Sequence, residues 1–398
     1  MSEAPWLTIL GLGEDGPNAM PPASLIALQN AEIIMGAARH LALLPEVTAE
    51  RIEWPVPFAD GIPILAGLRG RRVVALASGD PFWYGAGSVF ARSFAPAEWR
   101  ALSGPSTFSL AAAHMGWALE DTVCIGLHAA PLARLRPHLG HGARAIVLLR
   151  DGAAVADLAA YLDALGFDET QMTIMESIGG PRQNIRNATP ATLPTDISHP
   201  VCVALHIIGQ GTGFTHASGR NDALFANDGQ ITKRPVRALT LSALAPAFGE
   251  HLWDLGAGSG SIAIEWLLSH PSLSATAVEL DPTRAARASQ NASELGANRL
   301  KVITAAALDA VAGLPRPDVV FIGGGVSQEL LETLWRIIPS GTRLVANAVT
   351  LEAEVLLANW HATKGGALMR IELAHAKPLG TKRGWSSAYP IVQWSVTR

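Results

Sequence analysis

The sequence predicts an α/β fold in three strand–helix blocks, and three observations predict it. Short apolar runs recur along the chain, stretches with apolar residues at helical spacing separate them, and small-residue loops follow several of the runs. With 398 residues, 49% apolar and 16% charged, the chain suits two or three domains and can fill their cores.

The first block opens on the apolar run 6–11, read as a strand. Further strands are predicted at 73–77 and near 100–102, with helices at 22–31 and 106–115. The second block has strands near 122–125, 145–149, 171–176 and 201–208. Its helix, 153–165, shows apolar residues at helical spacing. Residues 209–221, GQGTGFTHASGRN, lack an apolar period and have the composition of a linker. The domains read from this are 1–208, with subdomains of about 1–116 and 117–208, then the linker 209–221, then 222–398.

The third block alternates more regularly. Strands are predicted at 251–255, 275–280, 300–304, 318–322, 343–346, 368–375 and 388–396, with helical patterns in most gaps. Such alternation gives a mainly parallel sheet covered on both faces. No helix separates the last two strands. Joined by the loop 376–387, they are expected to pair antiparallel at the sheet edge.

The sharpest motif is LWDLGAGSGSIAIEW, 252–266. An apolar strand runs into Gly256, Ala257, Gly258, Ser259 and Gly260, and then into an apolar helix. Glycine lets the backbone turn tightly and approach a ligand closely. Glu279 ends the next strand, 19 residues after Gly260, where a carboxylate can accept both hydroxyls of a ribose. The pattern fits a nicotinamide dinucleotide or S-adenosylmethionine (SAM). Two details favour SAM: the loop is GxGxG rather than GxGxxG, and Asp254, just before it, suits the amino group of a methionine moiety. Ala306 and Ala307, after the third strand, leave room for a flat adenine ring. Gly323, Gly324 and Gly325 follow the fourth strand and either line the site or only mark a turn. No NPPY-type segment of amino-group DNA methylases occurs.

The first block carries different loops. Gly11-Leu12-Gly13-Glu14-Asp15-Gly16 follows the first strand. Ser78-Gly79-Asp80-Pro81, with Trp83 and Gly85, follows a later one. Gly104-Pro105-Ser106-Thr107 follows a third and leads into a helix. One such loop is a weak signal; three at the carboxyl ends of strands line one sheet edge together. The bland alternative for Asp80-Pro81 is a simple turn.

The net charge of −4 argues against a nucleic-acid duplex as main partner. Cys124 and Cys202 sit in apolar runs and read as small buried hydrophobes in a reducing compartment. No CxxC, HExxH or EF-hand spacing occurs, so no metal site is expected. Residues 1–13 carry neither a basic region nor a long apolar run, and no run approaches membrane-spanning length. A soluble cytoplasmic protein without a membrane partner is expected.

GLGEDG, SGDPFWYG and GPSTF, in this order, resemble the marks of the tetrapyrrole methylase family, the class III SAM methyltransferases that include the precorrin methylases. DALFANDGQITKRPVRA, LWDLGAGSGSIAIEW, VELD and PDVVFIGGG resemble a class I SAM methyltransferase of the precorrin-6B kind. Together they span nearly the whole chain and resemble the fused, decarboxylating precorrin-6B (precorrin-6Y) C5,15-methyltransferases of aerobic cobalamin (vitamin B12) biosynthesis.

The resemblance implies a class III domain of two α/β subdomains, then a Rossmann-like class I domain with a mainly parallel seven-stranded sheet. It implies methylation of meso carbon 5 by the first domain and of meso carbon 15 by the second. It implies too that the second domain removes the ring-C acetate carboxyl as carbon dioxide, giving precorrin-8x. One SAM per domain, with S-adenosylhomocysteine as product, and a homo-oligomer, a dimer or tetramer, are implied too. By position, the implied cofactor residues are Ser78, Gly79, Asp80, Trp83, Ser106 and Thr107, and then Thr232, Gly256, Ala257, Gly258, Ser259, Gly260, Glu279, Ala306 and Ala307. Three positions depart from the family: Glu14 where Pro is frequent, Pro105 where a β-branched residue is usual, and Ala306 where an acid is frequent.

Methyl transfer from a sulfonium is a direct displacement. The protein must align the nucleophilic carbon and exclude water, to which proximity contributes roughly 7–11 kcal/mol. A reduced tetrapyrrole supplies its own enamine-like nucleophile and its own electron sink, so no catalytic acid or base is assigned. Its many carboxylates call for cations. Two clusters qualify: Lys233, Arg234 and Arg237 before the class I core, and Lys377, Lys382 and Arg383 in the loop between the last two strands. Each also fits a solvated charged face. The competing functions are a NAD(P)-linked oxidoreductase and a non-catalytic scaffold that binds SAM or tetrapyrrole; an RNA methylase would leave the N-terminal half unexplained.

Overall fold

In the computed structural model, residues 5–398 are described; residues 1–4 of the opening segment lie outside them. The chain separates into two units, one made of residues up to 130 with 138–212, the other of 131–137 with 213–398.

The first unit holds two sheets. The first is built from β1 (Leu7–Leu12), β2 (Ile33–Gly36), β3 (Glu50–Glu53), β4 (Val73–Ser78) and β5 (Trp99–Leu102). Its strands are all parallel, in the order β3-β2-β4-β1-β5. Helices α1 (Pro22–Gln29), α2 (Ala38–Ala42), α3 (Gly61–Ala66) and α4 (Gly87–Ser93) connect them. β1 is buried along its whole length, as a strand covered on both faces should be. The sequence did not reveal β2 and β3. β2 is four buried residues close behind a helix, and β3 is Glu-Arg-Ile-Glu, an edge strand with little apolar signal.

Helix α5 (Thr107–Met115) follows. Ser106 caps its start by accepting from the Ser109 N–H, and Gly116, left-handed at φ +63, ends it. The second sheet contains β6 (Val123–Gly126), β7 (Arg144–Leu149), β8 (Gln171–Glu176), β9 (Asn184–Ala188) and β10 (Val201–His206), with α6 (Gly152–Ala164) after β7. The order is β6-β7-β10-β8-β9, and only β6 and β7 run parallel. The unforeseen β9 is again a polar edge strand. Phe108, Ala111 and Ala112 of α5 pack on Ile146, Met175, Cys202 and Ala204. Both cysteines are free, and burial pushes the Cys202 thiol up to about 12, which leaves it inert.

The second unit starts with α7 (Arg234–Leu244) and builds one seven-stranded sheet. Its strands are β11 (His251–Leu255), β12 (Ser274–Glu279), β13 (Lys301–Thr304), β14 (Val319–Ile322), β15 (Arg343–Ala348), β16 (Ala367–Ile371) and, after an intervening ribbon of β17 (Ala374–Leu379) and β18 (Lys382–Ser387), β19 (Ile391–Thr397). Between them lie α8 (Ser261–Ser269), α9 (Pro282–Glu294), α10 (Ala307–Ala310), α11 (Gln328–Ile337) and α12 (Leu351–Lys364). The order is β13-β12-β11-β14-β15-β19-β16, five parallel strands and then the expected antiparallel pair, with β16 at the edge. Adjacent residues of β11 serve opposite faces: Leu252 packs with Trp266 and Phe321, and Trp253 packs with Trp360 and Trp394. The sheet order reverses between β11 and β14, which opens a crevice at the carboxyl ends of those strands.

Two expectations are corrected. The loop 376–387 is largely the antiparallel ribbon β17–β18, and the strand foreseen at 368–375 breaks at Glu372 and Leu373. Segment 209–221, read as the linker, is tied down at both ends. The Gly211 N–H donates to Gly166, and the N–H groups of Gly219 and Arg220 donate to the Glu265 carboxylate. Backbone amides do this work, so composition does not reveal it. Among the described residues no helix is long and apolar enough to cross a membrane.

Candidate functional site

Each unit has a cavity at the carboxyl edge of a parallel sheet. The larger, about 1390 Å³, lies in the second unit and is lined by Thr232, Lys233, Gly256, Ala257, Gly258, Ser259, Glu279, Ala306, Ala307 and the three glycines 323–325. Gly256, at φ +72, sits where a Cβ would come within 2.6 Å of the Gly324 carbonyl oxygen, so the loops after β11 and β14 meet backbone to backbone. Glycines 323–325 therefore both turn the chain and line the cleft. Gly258 has open space where a side chain would be, the nearest atom lying 3.9 Å away. Gly260 does not line the cleft. Its Cβ position is 3.0 Å from Ala288 Cβ, so it sets the approach of α8 and α9.

Glu279 is 7% exposed and accepts from the Gly258 N–H (2.7 Å) and the Asp281 N–H (3.0 Å). The carboxylate foreseen as a ribose acceptor thus also clamps the glycine loop. Asp254 departs from expectation. It is fully buried and outside the cleft lining; its Oδ2 accepts from the Ala263 N–H at 3.1 Å, in the first turn of α8. Burial pushes its carboxyl up to about 7, with the Ala263 N–H opposing and the charge of Glu279 adding. Its Oδ1 and the Ser259 Oγ are buried with no protein partner. Open space over Gly258 and a carboxylate at the next strand end together fit a ligand such as SAM.

The strap 226–232 carries Thr232 and Lys233 to the cleft. The Asn291 side chain accepts from the Ala226 N–H and donates to Ala226 and Ser259, while Asp228 pairs with Arg284 (2.8 Å) and Arg287 (3.3 Å). The structure corrects Arg237 as a substrate cation. It is fully buried, with Nε on Glu265 (2.6 Å), Nη1 on Asp222 (2.9 Å) and further bonds to the carbonyls of Thr232 and Arg220. Arg234 is exposed and lies outside the cleft lining. Lys377, Lys382 and Arg383 lie exposed on the ribbon and outside the cleft lining. Only Ser387, Ala388 and Tyr389, where the ribbon returns, reach the cleft.

The cavity of the first unit, about 630 Å³, is lined by all six residues foreseen there: Ser78, Gly79, Asp80, Trp83, Ser106 and Thr107. Its three loops touch through main chain. The Gly104 N–H donates to Gly79 (3.1 Å), the Gly79 N–H donates to Leu12 (3.0 Å), and a Cβ on Gly11 would lie 1.9 Å from the Gly79 oxygen. Asp80 does form a turn, accepting from the Phe82 N–H at 2.8 Å, while still facing the cavity. Trp83 packs on Phe108 at 5.0 Å between centroids.

The sequence missed Arg39 and His40, which also line this cavity together with Glu14 of the first loop. Arg39 Nη2 lies 2.9 Å from both Ser78 Oγ and His40 Nε2, and those two atoms are 3.0 Å apart. Arg39 and Arg182 both pair with the Glu14 carboxylate. His40 is 6% exposed, and its Nδ1 has no partner. Burial, with the Arg39 charge adding, pushes its pKa down to about 4. An adjacent Arg-His pair just past β2 was the available signal, hidden because β2 itself was not seen. Among the described residues no cluster of three or more His, Cys, Asp or Glu could hold a metal.

Residues 7–194 match the family described as tetrapyrrole (corrin/porphyrin) methylases, and residues 223–398 match the precorrin methyltransferase domain. A Sinorhizobium precorrin-6Y C(5,15)-methyltransferase (decarboxylating) is 44% identical over 400 residues, covering 99% of this chain and 97% of that protein. Two shorter Salmonella typhimurium proteins match parts of the chain. A cobalt-precorrin-7 C(5)-methyltransferase is 33% identical, covering 29% of this chain and 57% of its own. A cobalt-precorrin-6B C(15)-methyltransferase (decarboxylating) is 30% identical, covering 40% of this chain and 85% of its own.

Proposed function

Because the chain belongs to the family of decarboxylating precorrin-6Y C(5,15)-methyltransferases, and so is a SAM-dependent enzyme of cobalamin biosynthesis, we propose how its two halves divide the labour. The first unit methylates carbon 5 of the precorrin. The second methylates carbon 15 and releases carbon dioxide from the ring-C acetate. Each half takes one SAM, which supplies an electrophilic methyl group, and returns S-adenosylhomocysteine.

The observation that carries this reading is the pair of separate cavities, each walled by its own glycine loops at a sheet's carboxyl edge. Single small-molecule sites run to about 300–1,000 Å³. The larger cavity, about 1390 Å³, has room for a cofactor with part of a macrocycle. In the first unit Ser78, Gly79, Asp80, Trp83, Ser106 and Thr107 would hold SAM. In the second, Thr232, Gly256, Ala257, Gly258, Ser259, Glu279, Ala306 and Ala307 would hold it, and Lys233 would meet a substrate carboxylate. A soluble cytoplasmic homo-oligomer, without nucleic-acid or membrane partners, is part of this reading; the bare Leu379 and Trp385 of the ribbon support association between copies.

The test uses the full chain with one loop blocked at a time. Gly79→Val should leave carbon-15 methylation and carbon dioxide release intact. Gly256→Val should abolish carbon dioxide release. Loss of carbon dioxide release in Gly79→Val but not in Gly256→Val would overturn the assignment.

A further inference from the structure

The two half-reactions differ in proton balance. Replacing a hydrogen on carbon by a methyl group releases one proton. Converting a carboxylate to carbon dioxide and a C–H bond consumes one. On the division of labour proposed above, on which this inference rests, the second unit's two steps are together proton-neutral. The first unit's step is not, and must discard a proton.

The cavity walls differ in the same sense. The described lining of the larger cleft contains no histidine, and its one carboxylate, Glu279, is held by two backbone N–H groups. The smaller cleft is lined by His40, His128 and His199, with Glu14 and Asp80.

His40 is the group whose state the geometry fixes. A guanidinium only donates hydrogen bonds. The two hydrogens of Arg39 Nη2 therefore go to His40 Nε2 and to Ser78 Oγ, each at 2.9 Å. Accepting at Nε2 makes the imidazole neutral and puts its proton on Nδ1. Ser78, accepting from Arg39, keeps its own hydrogen free; His40 Nε2, 3.0 Å away, has a single lone pair and can take that hydrogen only when Arg39 Nη2 turns off it. Glu14 fixes Arg39 from the other side.

We propose that Ser78 and His40 form the proton exit of the first unit's site. As the meso carbon bonds to the incoming methyl, the S–CH3 bond breaks and its electron pair stays on sulfur. The meso C–H bond then breaks and its electron pair returns to the macrocycle. Arg39 Nη2 gives up its hydrogen bond to His40 Nε2, and the proton passes to Ser78 Oγ while the Ser78 hydrogen passes to the freed Nε2 lone pair. Doubly protonated, His40 faces the Arg39 guanidinium, and that repulsion sends the proton on to water and resets the pair. A weak base suffices, because loss of the proton restores the conjugated ring. Arg39 is the positioning residue.

The test uses the full chain with precorrin substrate and SAM. In Ser78→Ala and His40→Gln, carbon-5 methylation should fall roughly 10²-fold, the usual weight of general base catalysis. Carbon-15 methylation and carbon dioxide release should stay at the wild-type rate, which shows that the chain is folded, and a singly methylated, decarboxylated product should accumulate. With substrate deuterated at carbon 5, a primary isotope effect should appear in the variants and be absent in the wild type. Independently of turnover, ¹⁵N-histidine spectra of the ligand-free protein, assigned with His40→Gln, should show His40 neutral with its proton on Nδ1. Wild-type rates in both variants, slowing without an isotope effect, or a proton on Nε2 would each overturn the proposal. Accumulation of product lacking the carbon-15 methyl instead would overturn the division of labour beneath it.

Discussion

Asp254 of β11 and Glu279 of β12 are two buried carboxylates on neighbouring parallel strands beneath one glycine loop, and the charge of Glu279 helps keep the Asp254 proton in place. An acid held up to about 7 when folded and near 3.8 when unfolded weakens the fold as it ionises. The penalty is absent below about pH 4, grows up to about pH 7 and is complete above it. Asp254→Asn, which keeps an acceptor for the Ala263 N–H, should therefore be more stable than wild type at pH 8, by at most about 4 kcal/mol. The advantage should vanish near pH 4. Denaturation midpoints measured across that range check it, and parallel curves would refute it.

Arg237 and Glu265 are both fully buried and bonded to each other. Removing one partner of such a pair leaves an uncompensated buried charge and costs roughly 3–5 kcal/mol. Arg237→Met should lower stability by that amount, and Arg237→Met with Glu265→Gln by less. Substrate KM in the folded fraction should change little. Denaturant titration and steady-state kinetics separate the two effects.

Gly256 and Gly258 are both left-handed, at φ +72 and +58, but only Gly256 faces another backbone at 2.6 Å. Gly258→Ala should incur only the conformational cost of about 1–2 kcal/mol, roughly a fivefold to thirtyfold loss of SAM affinity at the second site. Gly256→Ala should abolish binding there. Calorimetry on the full chain distinguishes them, since the first unit's site remains as an internal reference.

Lys233 lines the larger cleft, whereas Lys382 and Arg383 stand on the ribbon outside its lining. Lys233→Ala should raise substrate KM about tenfold or more, the loss of one charge-assisted contact of roughly 1.5–3 kcal/mol. The double replacement Lys382→Ala/Arg383→Ala should leave KM within about twofold; a larger rise would show that the ribbon folds over bound substrate.

The sequence revealed what side-chain periodicity and glycine spacing encode. The buried strands with clear apolar runs, the edge pair formed by β16 and β19, and the loop at 256–260 were legible in it. It did not reveal features whose physics lies in backbone or distance. β3 and β9 are polar edge strands, and the fastening of 209–221 uses amide donors. Arg237 and Lys233 look alike as nearby cations in the chain, and only the buried Glu265 partner makes one structural. The triangle of Arg39, His40 and Ser78 joins residues 38 positions apart. No local pattern foreshadows it, apart from the Arg-His pair itself.

The junction beside the first unit's cavity, where Gly11, Gly79 and Gly104 meet through main chain, bears on how such a site can change over generations. A junction made of peptide groups offers mutation little to alter, since a side chain on Gly11 or Gly79 would collide with a carbonyl. On the proposed assignment, new acceptor substrates would have to be accommodated by exchanging wall residues such as Trp54, Val56, Phe58 and His128, while the glycine loops proposed to hold the methyl donor are inherited unchanged. Diversification of the acceptor without loss of the donor is then the path of least resistance for this architecture.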